Sequence, residues 1–209
     1  MNNRKPSVTD GLFADNTVLS ALMVISPIIM CGDTLKNALA LTYAFTAITL
    51  FSVIISSFIP KRLPYAVKII LYAVISAIVY IPVRLVAESF YVGSIESIGI
   101  YYPLLAVNSL IVHQTEAKFF RMKKGKMIGS LVFYILGFDA VILFTGIVRE
   151  LIAYGTINNR MADMNTLLAG LGQPFRGFII LALLCGLYRK IRSEANKNQE
   201  VSGEANVSD

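Results

Sequence analysis

The stretch Ile25-Ser26-Pro27-Ile28-Ile29-Met30-Cys31-Gly32-Asp33 interrupts an apolar segment with a proline, a glycine and a carboxylate. A second stretch, Tyr102-Pro103-Leu104-Leu105-Ala106-Val107-Asn108-Ser109, does something similar later in the chain. Proline removes a backbone donor and clashes with the preceding turn, so each stretch predicts a broken helix. Two such breaks at corresponding positions of the two halves are typical of the working site of an inverted-repeat membrane protein.

The composition places the chain in a membrane. Its 209 residues are 56% hydrophobic and only 15% charged, and the mean hydropathy is +0.65. A soluble domain of this size carries about 25% charged residues. The deficit, together with several apolar runs near membrane-spanning length, predicts an integral membrane protein. No Pro- or Ser-rich linker divides the chain, so we predict a single membrane domain.

The apolar runs predict six transmembrane helices, each near the roughly 20 residues that a crossing requires. We therefore expect an all-α integral membrane protein, with an inverted 3+3 repeat in which helices one and four are broken. The six-helix domain covers 18–192, between an N-terminal segment, 1–17, and a polar tail, 193–209, that its composition predicts to be disordered. The predicted spans are 18–32, 35–59, 65–87, 97–114, 127–149 and 174–192.

The distribution of basic residues predicts the orientation. Fourteen Lys and Arg residues lie before the first span and around the loops after spans two, four and six, and only five lie on the other side. Cytoplasmic loops carry the excess of positive charge, so both termini are predicted to be cytoplasmic in a multi-pass protein of the bacterial inner membrane. The net charge of +6 therefore reflects membrane topology. We predict membrane lipid, and not nucleic acid, as a partner.

Three acidic residues are candidates for an ion path. Asp139 lies midway along the fifth span, where a carboxylate is costly and usually faces protein or water; the alternative is a neutral, hydrogen-bonded packing group. Asp33 follows the first break and is either a site residue or the N-cap of span two. Glu150, beside Arg149, ends the fifth span as an interfacial pair or as part of an ion path.

Other kinds of chemistry find no support in the sequence. It contains no Gly-rich phosphate loop, nucleophile elbow or zinc motif, so catalysis of the soluble type is not predicted. Its two cysteines, Cys31 and Cys185, are too few and too scattered for a disulfide framework.

Several motifs, through their order and spacing, resemble the six-helix membrane subunits of the Rnf and Nqr respiratory complexes, specifically the RnfE/NqrD type. Ser26-Pro27-Ile28-Ile29 is similar to the family's Cys-Pro-Leu-Leu motif. Pro103-Leu104-Leu105-Ala106-Val107-Asn108-Ser109-Leu110-Ile111 resembles its span-four motif, and Gly146-Ile147-Val148-Arg149-Glu150-Leu151 resembles the end of its fifth helix. The predicted cytoplasmic N-terminus suits this type better than the sister subunits, RnfA and NqrE, which insert the other way up.

This resemblance implies a membrane subunit of an ion-translocating electron transport complex. In the family, the subunit pairs pseudosymmetrically with an RnfA/NqrE-like sister to form the membrane core. Cysteines from the broken helices hold an iron or iron–sulfur centre between them. By this resemblance the chain is not an enzyme on its own but one subunit of an oxidoreductase.

The chain departs from the family at the two cysteine positions, which fall on Ser26 and Ser109. A neutral hydroxyl is a poor iron ligand compared with a thiolate. Cys31, five residues after Ser26, is either a substitute ligand or a small buried packing thiol. The cofactor is therefore unknown, and we expect the family's iron centre to be absent or altered. A redox-silent transporter or structural membrane subunit remains the alternative function.

Overall fold

The computed structural model describes residues 25–60, 62–107, 111, 124–157, 160–161 and 174–205. The predicted N-terminal segment, the start of span one, the end of span four and Ser109 lie outside these residues. Seven helices are described: α1 Ile25–Cys31, α2 Leu35–Ser56, α3 Tyr65–Phe90, α4 Ser94–Ile98, α5 Tyr101–Leu104, α6 Lys124–Tyr154 and α7 Pro174–Ala205.

The described part is helical apart from a 3-10 turn at Leu105–Val107 and a small antiparallel hairpin. The hairpin pairs β1, Thr156–Ile157, with β2, Arg160–Met161, directly after α6. Three of the described helices, α2, α3 and α6, are long and apolar enough to cross a membrane. This confirms the helical character predicted from the sequence and gives three candidate membrane spans among the described residues, while the count of six spans stays a prediction.

Helix starts agree with the predicted spans more closely than helix ends. The second and third spans begin at the expected residues, Leu35 and Tyr65. The fifth is longer at both ends, because α6 runs from Lys124 to Tyr154. The last helix begins at Pro174 as expected but continues through Ala205, beyond the end of the predicted sixth span.

The first break lies after Cys31. Pro27 is inside α1, and the chain turns at Gly32–Thr34 before α2 begins. Thr34 is extended, with φ −127° and ψ 154°, and its hydroxyl oxygen accepts a hydrogen bond from the Asn37 amide at 3.3 Å. This is an N-cap, which satisfies one of the free amides at the start of α2.

The second break is a run of short pieces instead of one kinked helix. The helix α4 ends at Ile98, α5 begins at Tyr101, and the 3-10 turn follows it directly. Between α4 and α5, Gly99 has φ +56°, a conformation that favours glycine because it lacks a Cβ. The described part of the predicted fourth span is therefore broken, as the sequence indicates.

The helix α2 is the centre of the described fold, because it packs along both α3 and α6. The rings of Phe45 and Phe138 are stacked across the α2–α6 contact, with centroids 3.6 Å apart. Nearer the break, Ala38 lies against Gly146: a Cβ added at Gly146 would be only 2.7 Å from the Ala38 Cβ. Small residues at a helix crossing permit this close backbone approach in membranes.

By contrast, α3 leaves most of its apolar surface uncovered by the rest of the chain. Its exposed large side chains form a broad outward face that suits contact with lipid or with another membrane subunit. They are Tyr65, Val67, Ile70, Val74, Ile78, Ile81, Leu85, Val86 and Phe90.

The close Ala38–Gly146 contact predicts an unusual sensitivity to one methyl group. The substitution Gly146→Ala should lower the unfolding free energy by about 1–3 kcal/mol, because the new Cβ forces α2 and α6 apart. Gly125→Ala, on the same helix but with open space around its Cβ, is the matched control and should be neutral. Thermal unfolding in detergent measures both, and equal midpoints for the two variants would contradict this packing.

Candidate functional site

The first break is joined to the end of α6 through a buried carboxylate. Glu150 is 2% exposed, and its Oε2 atom accepts a hydrogen bond from the Leu35 amide at 2.6 Å. The first amides of a helix lack intrahelical partners and carry partial positive charge, so a carboxylate there is favourable. Thr34 and Glu150 together therefore fix the start of α2.

The expectation that Asp33 itself caps α2 is wrong. The Asp33 Oδ1 atom instead accepts a hydrogen bond from the side-chain amide of Asn37 at 3.0 Å. The capping oxygen belongs to the next residue, Thr34, whose extended backbone aims its hydroxyl at the Asn37 amide. The consecutive pair Asp33-Thr34 signals a helix start, but sequence alone does not decide which of the two oxygens binds.

Arg149 connects α6 to two other helices at the break. Its side chain is fully buried, and Nη1 donates a hydrogen bond to the Ile29 carbonyl at 2.7 Å. Ile29 lies in the last turn of α1, where carbonyls lose their intrahelical partners. On α7, a Cβ added at Gly177 would lie 3.3 Å from the guanidinium carbon, so this glycine leaves room for Arg149.

The two breaks meet in the described structure. The Cys31 thiol, 6% exposed, donates to the Ile98 carbonyl at 3.6 Å, and the Asn37 side chain donates to the Ser97 hydroxyl at 3.4 Å. Lys36 reaches the carbonyl of Val92 at 2.9 Å. The helix α1 also packs against α5. The turn between α1 and α2 is therefore tied to the segments that replace a continuous fourth span.

The resemblance places the family's iron ligands at two serines. Ser26 lies on α1 with an exposed side chain, and Ser109 lies outside the described residues. Within the described part, no three His, Cys, Asp or Glu side chains are grouped as metal ligands. Cys31 is already hydrogen-bonded to Ile98, and Ser26 offers a neutral hydroxyl. This donor set does not fit a thiolate-held iron centre.

A second polar site lies between α2 and α6, away from the break. Asp139 is 9% exposed, and its Oδ2 atom accepts a hydrogen bond from the Thr46 hydroxyl at 2.8 Å. Its other oxygen, Oδ1, is buried without a hydrogen-bond partner among the described residues. The buried hydroxyl of Thr42, one turn before Thr46, is in the same situation. The site retains capacity for a further polar partner.

Comparison with known proteins decides the family. A family model described as "Rnf-Nqr subunit, membrane protein" matches residues 5–185. The chain belongs to the Rnf-Nqr membrane-subunit family. It is 31% identical over 157 residues to the E-type subunit of the ion-translocating oxidoreductase complex of Shewanella amazonensis, covering 75% of this chain and 68% of the relative. The corresponding protein of Cronobacter sakazakii, which carries the same name, is also 31% identical, over 160 residues, covering 75% of this chain and 69% of the relative.

Family membership confirms the resemblance inferred from the ordered motifs. In the described part of this Rnf-Nqr chain, residues near both breaks come together. The sequence did not reveal the part played by Arg149 and Glu150, for which it favours an interfacial pair. Two adjacent charged residues at a helix end look solvated in a sequence, whereas the structure buries both at the break.

The buried arginine predicts a large stability loss on truncation. Arg149→Met should lower the unfolding free energy by about 2–4 kcal/mol, because the Ile29 carbonyl then loses its donor in a water-poor interior. Arg189→Met, at an exposed position on α7, is the control and should change little. Thermal unfolding in detergent measures both. A loss for Arg149→Met no larger than for the control would show that the hydrogen bond does not hold the break.

Proposed function

We propose that this chain is the E-type membrane subunit of an ion-translocating electron transport complex. The observation that carries the proposal is the family match over residues 5–185, together with relatives named as the E-type subunit of the ion-translocating oxidoreductase complex. The apolar helices α2, α3 and α6 support a location in the membrane. Six spans, an inverted 3+3 repeat, cytoplasmic termini and the bacterial inner membrane belong to the same proposal.

The partner in the membrane is an RnfA/NqrE-like sister subunit. The outward apolar face of α3 supports this, because so many uncovered large side chains suit either lipid or a second membrane helix. The chain acts within the complex and carries out no catalysis alone.

In this member of the family, the iron centre of the complex is absent or held in another way. Two observations support this part of the proposal. The family's first ligand position is Ser26, whose hydroxyl is not a thiolate, and the nearby Cys31 thiol is engaged with the Ile98 carbonyl. The same observations argue against an unaltered iron site. They favour the alternative function, in which the chain is a transporter or structural subunit without redox chemistry.

For the ion path, Asp139 is the strongest candidate. It lies within a helix able to cross the membrane, it is buried, and one of its oxygens has no partner among the described residues. Glu150 and Asp33 also remain candidates, although both accept hydrogen bonds at the start of α2, from Leu35 and Asn37 respectively. Asp139 also accepts a hydrogen bond, from Thr46, but its second oxygen has no partner among the described residues.

The complex itself is tested by purification from native membranes. The tagged full-length chain, extracted in mild detergent, should bring down an RnfA/NqrE-like sister and flavin-bearing subunits, identified by mass spectrometry. Those partners follow from membership of an oxidoreductase complex. Recovery of the chain alone, or with transport components, would favour the redox-silent alternative and reject the electron-transfer proposal.

The iron proposal predicts that Cys31 is dispensable for metal. In the purified complex, Cys31→Ser should leave the iron content per complex unchanged, because the thiol packs against a carbonyl and binds no metal. Cys185→Ser, at the other buried cysteine, is the matched control. A loss of about one iron equivalent in Cys31→Ser alone would make Cys31 a ligand and reverse the assignment.

Asp139 is tested by the coupling between ion and electron flow. In the reconstituted complex, Asp139→Asn should lower ions moved per electron transferred by on the order of tenfold, because the amide cannot carry charge. The amide oxygen still accepts from Thr46, so assembly should persist. Glu194→Gln, an exposed position on α7, is the control and should leave this ratio unchanged. If Asp139 only packs, Asp139→Asn will leave the number of ions moved per electron unchanged.

A further inference from the structure

The contact between Asp139 and Thr46 leaves one carboxylate oxygen enclosed. Oδ2 accepts from the Thr46 hydroxyl at 2.8 Å, whereas Oδ1 exposes less than 1 Å² of surface and has no hydrogen-bond partner among the described residues. The hydroxyl oxygen of Thr42, one turn before Thr46 on α2, is enclosed to the same degree. Any species that binds Oδ1 in this conformation must therefore occupy almost no volume.

The walls around this carboxylate are apolar and closely packed. One turn to either side of it on α6 lie the buried side chains of Ile135 and Ile142. The stacked rings of Phe45 and Phe138 lie at the same level of the α2–α6 contact, since each immediately precedes one of the two hydrogen-bonded residues. Interiors packed in this way hold few voids as large as a water molecule.

The other charged groups of the two helices lie far from the carboxylate. Each is at least ten residues along its helix from Asp139 or Thr46, which corresponds to about 15 Å. These groups are Lys36, Lys124, Lys126, Arg149 and Glu150. Of the nearer titratable groups, Tyr43 lies beside the Tyr91 ring, and Tyr134, five residues before Asp139, lies on another side of α6. A buried carboxylate without a compensating charge is costly, whereas its neutral form is tolerated.

A metal cation does not suit this site. Hard cations such as sodium exchange their hydration shell for several oxygen ligands, which must stand apart by the width of the ion. On the described parts of α2 and α6, the side-chain oxygens at this level are the Asp139 carboxylate and the hydroxyls of Thr42, Thr46 and Thr49. Because Oδ1 and the Thr42 oxygen are already enclosed by neighbouring atoms, no space for an ion separates them. A proton requires no such space.

We propose that the ion bound by Asp139 is a proton, taken up on Oδ1, and not a sodium ion. The proton arrives from hydronium, an O–H bond forms at Oδ1, and the side chain passes from anionic to neutral. Release of the proton to water restores the carboxylate. Thr46 is the positioning residue, because its hydroxyl holds Oδ2 and leaves Oδ1 as the oxygen that changes. This inference rests on the proposed ion path through Asp139.

Infrared difference spectroscopy of the purified complex tests the proton assignment. Subtraction of the Asp139→Asn spectrum from that of the unaltered complex isolates the C=O stretch of the protonated Asp139 carboxyl, which is followed against pH. We expect a band that disappears as the pH rises, with the same midpoint when NaCl is raised about a hundredfold at constant ionic strength. A sodium ion that competed one-for-one with the proton would lower this midpoint by about two pH units.

The positioning role is tested on the same band. Thr46→Val should move it to higher frequency, because the hydrogen bond to Oδ2 is lost. Thr46→Ser keeps the hydroxyl, so it is the matched control and should leave the frequency unchanged. Equal frequencies for the two variants, with folding intact, would show that Thr46 does not hold the carboxyl.

Three outcomes would overturn the proton assignment: a midpoint that falls with sodium, a band absent at every pH, or a band that no pH removes. The transport measurement on Asp139→Asn tests the ion path separately. An unchanged number of ions per electron would reject that path and leave the infrared result in place. A reduced number together with a sodium-sensitive band would keep the path and assign it to sodium.

Discussion

The described fold depends on how the backbone groups freed by the first break are satisfied inside the protein. A helix that ends at Cys31 exposes carbonyls, and one that begins at Leu35 exposes amides. Two adjacent residues of α6 meet both needs, because Arg149 donates to Ile29 and Glu150 accepts from Leu35. Irregular backbone at membrane depth is tolerated only when it is buried in protein in this way.

How far the sequence predicts this arrangement depends on the range of the interactions. Helix starts at Leu35 and Tyr65 follow from local pattern, because apolar periodicity and capping residues act over a few neighbours. The contacts of Arg149 with Ile29 and of Asp139 with Thr46 join residues far apart in the chain, and no local pattern reports them. The expectation for Asp33 was wrong by one residue, since capping depends on backbone angles that sequence does not fix.

Ser26 shows that the broken-helix architecture of this family member does not depend on an iron ligand at that position. The hydrogen bonds that hold the break come from α6, from Thr34 and from main-chain groups, and none of these bonds requires a cysteine at Ser26. A chain can therefore keep the architecture of the broken helix while its capacity to bind iron changes. Fold and family membership then say less about redox activity than the identity of a single donor atom does.

The adjacency of Arg149 and Glu150 has a mechanical consequence. Because the two side chains leave the same turn of α6 and hold opposite sides of the break, a rotation of α6 displaces the end of α1 and the start of α2 together. Asp139 lies ten residues earlier on this helix, about 15 Å along its axis. Asp139 and the two residues that hold the break thus belong to one continuous helix, so any displacement of α6 moves both sites together.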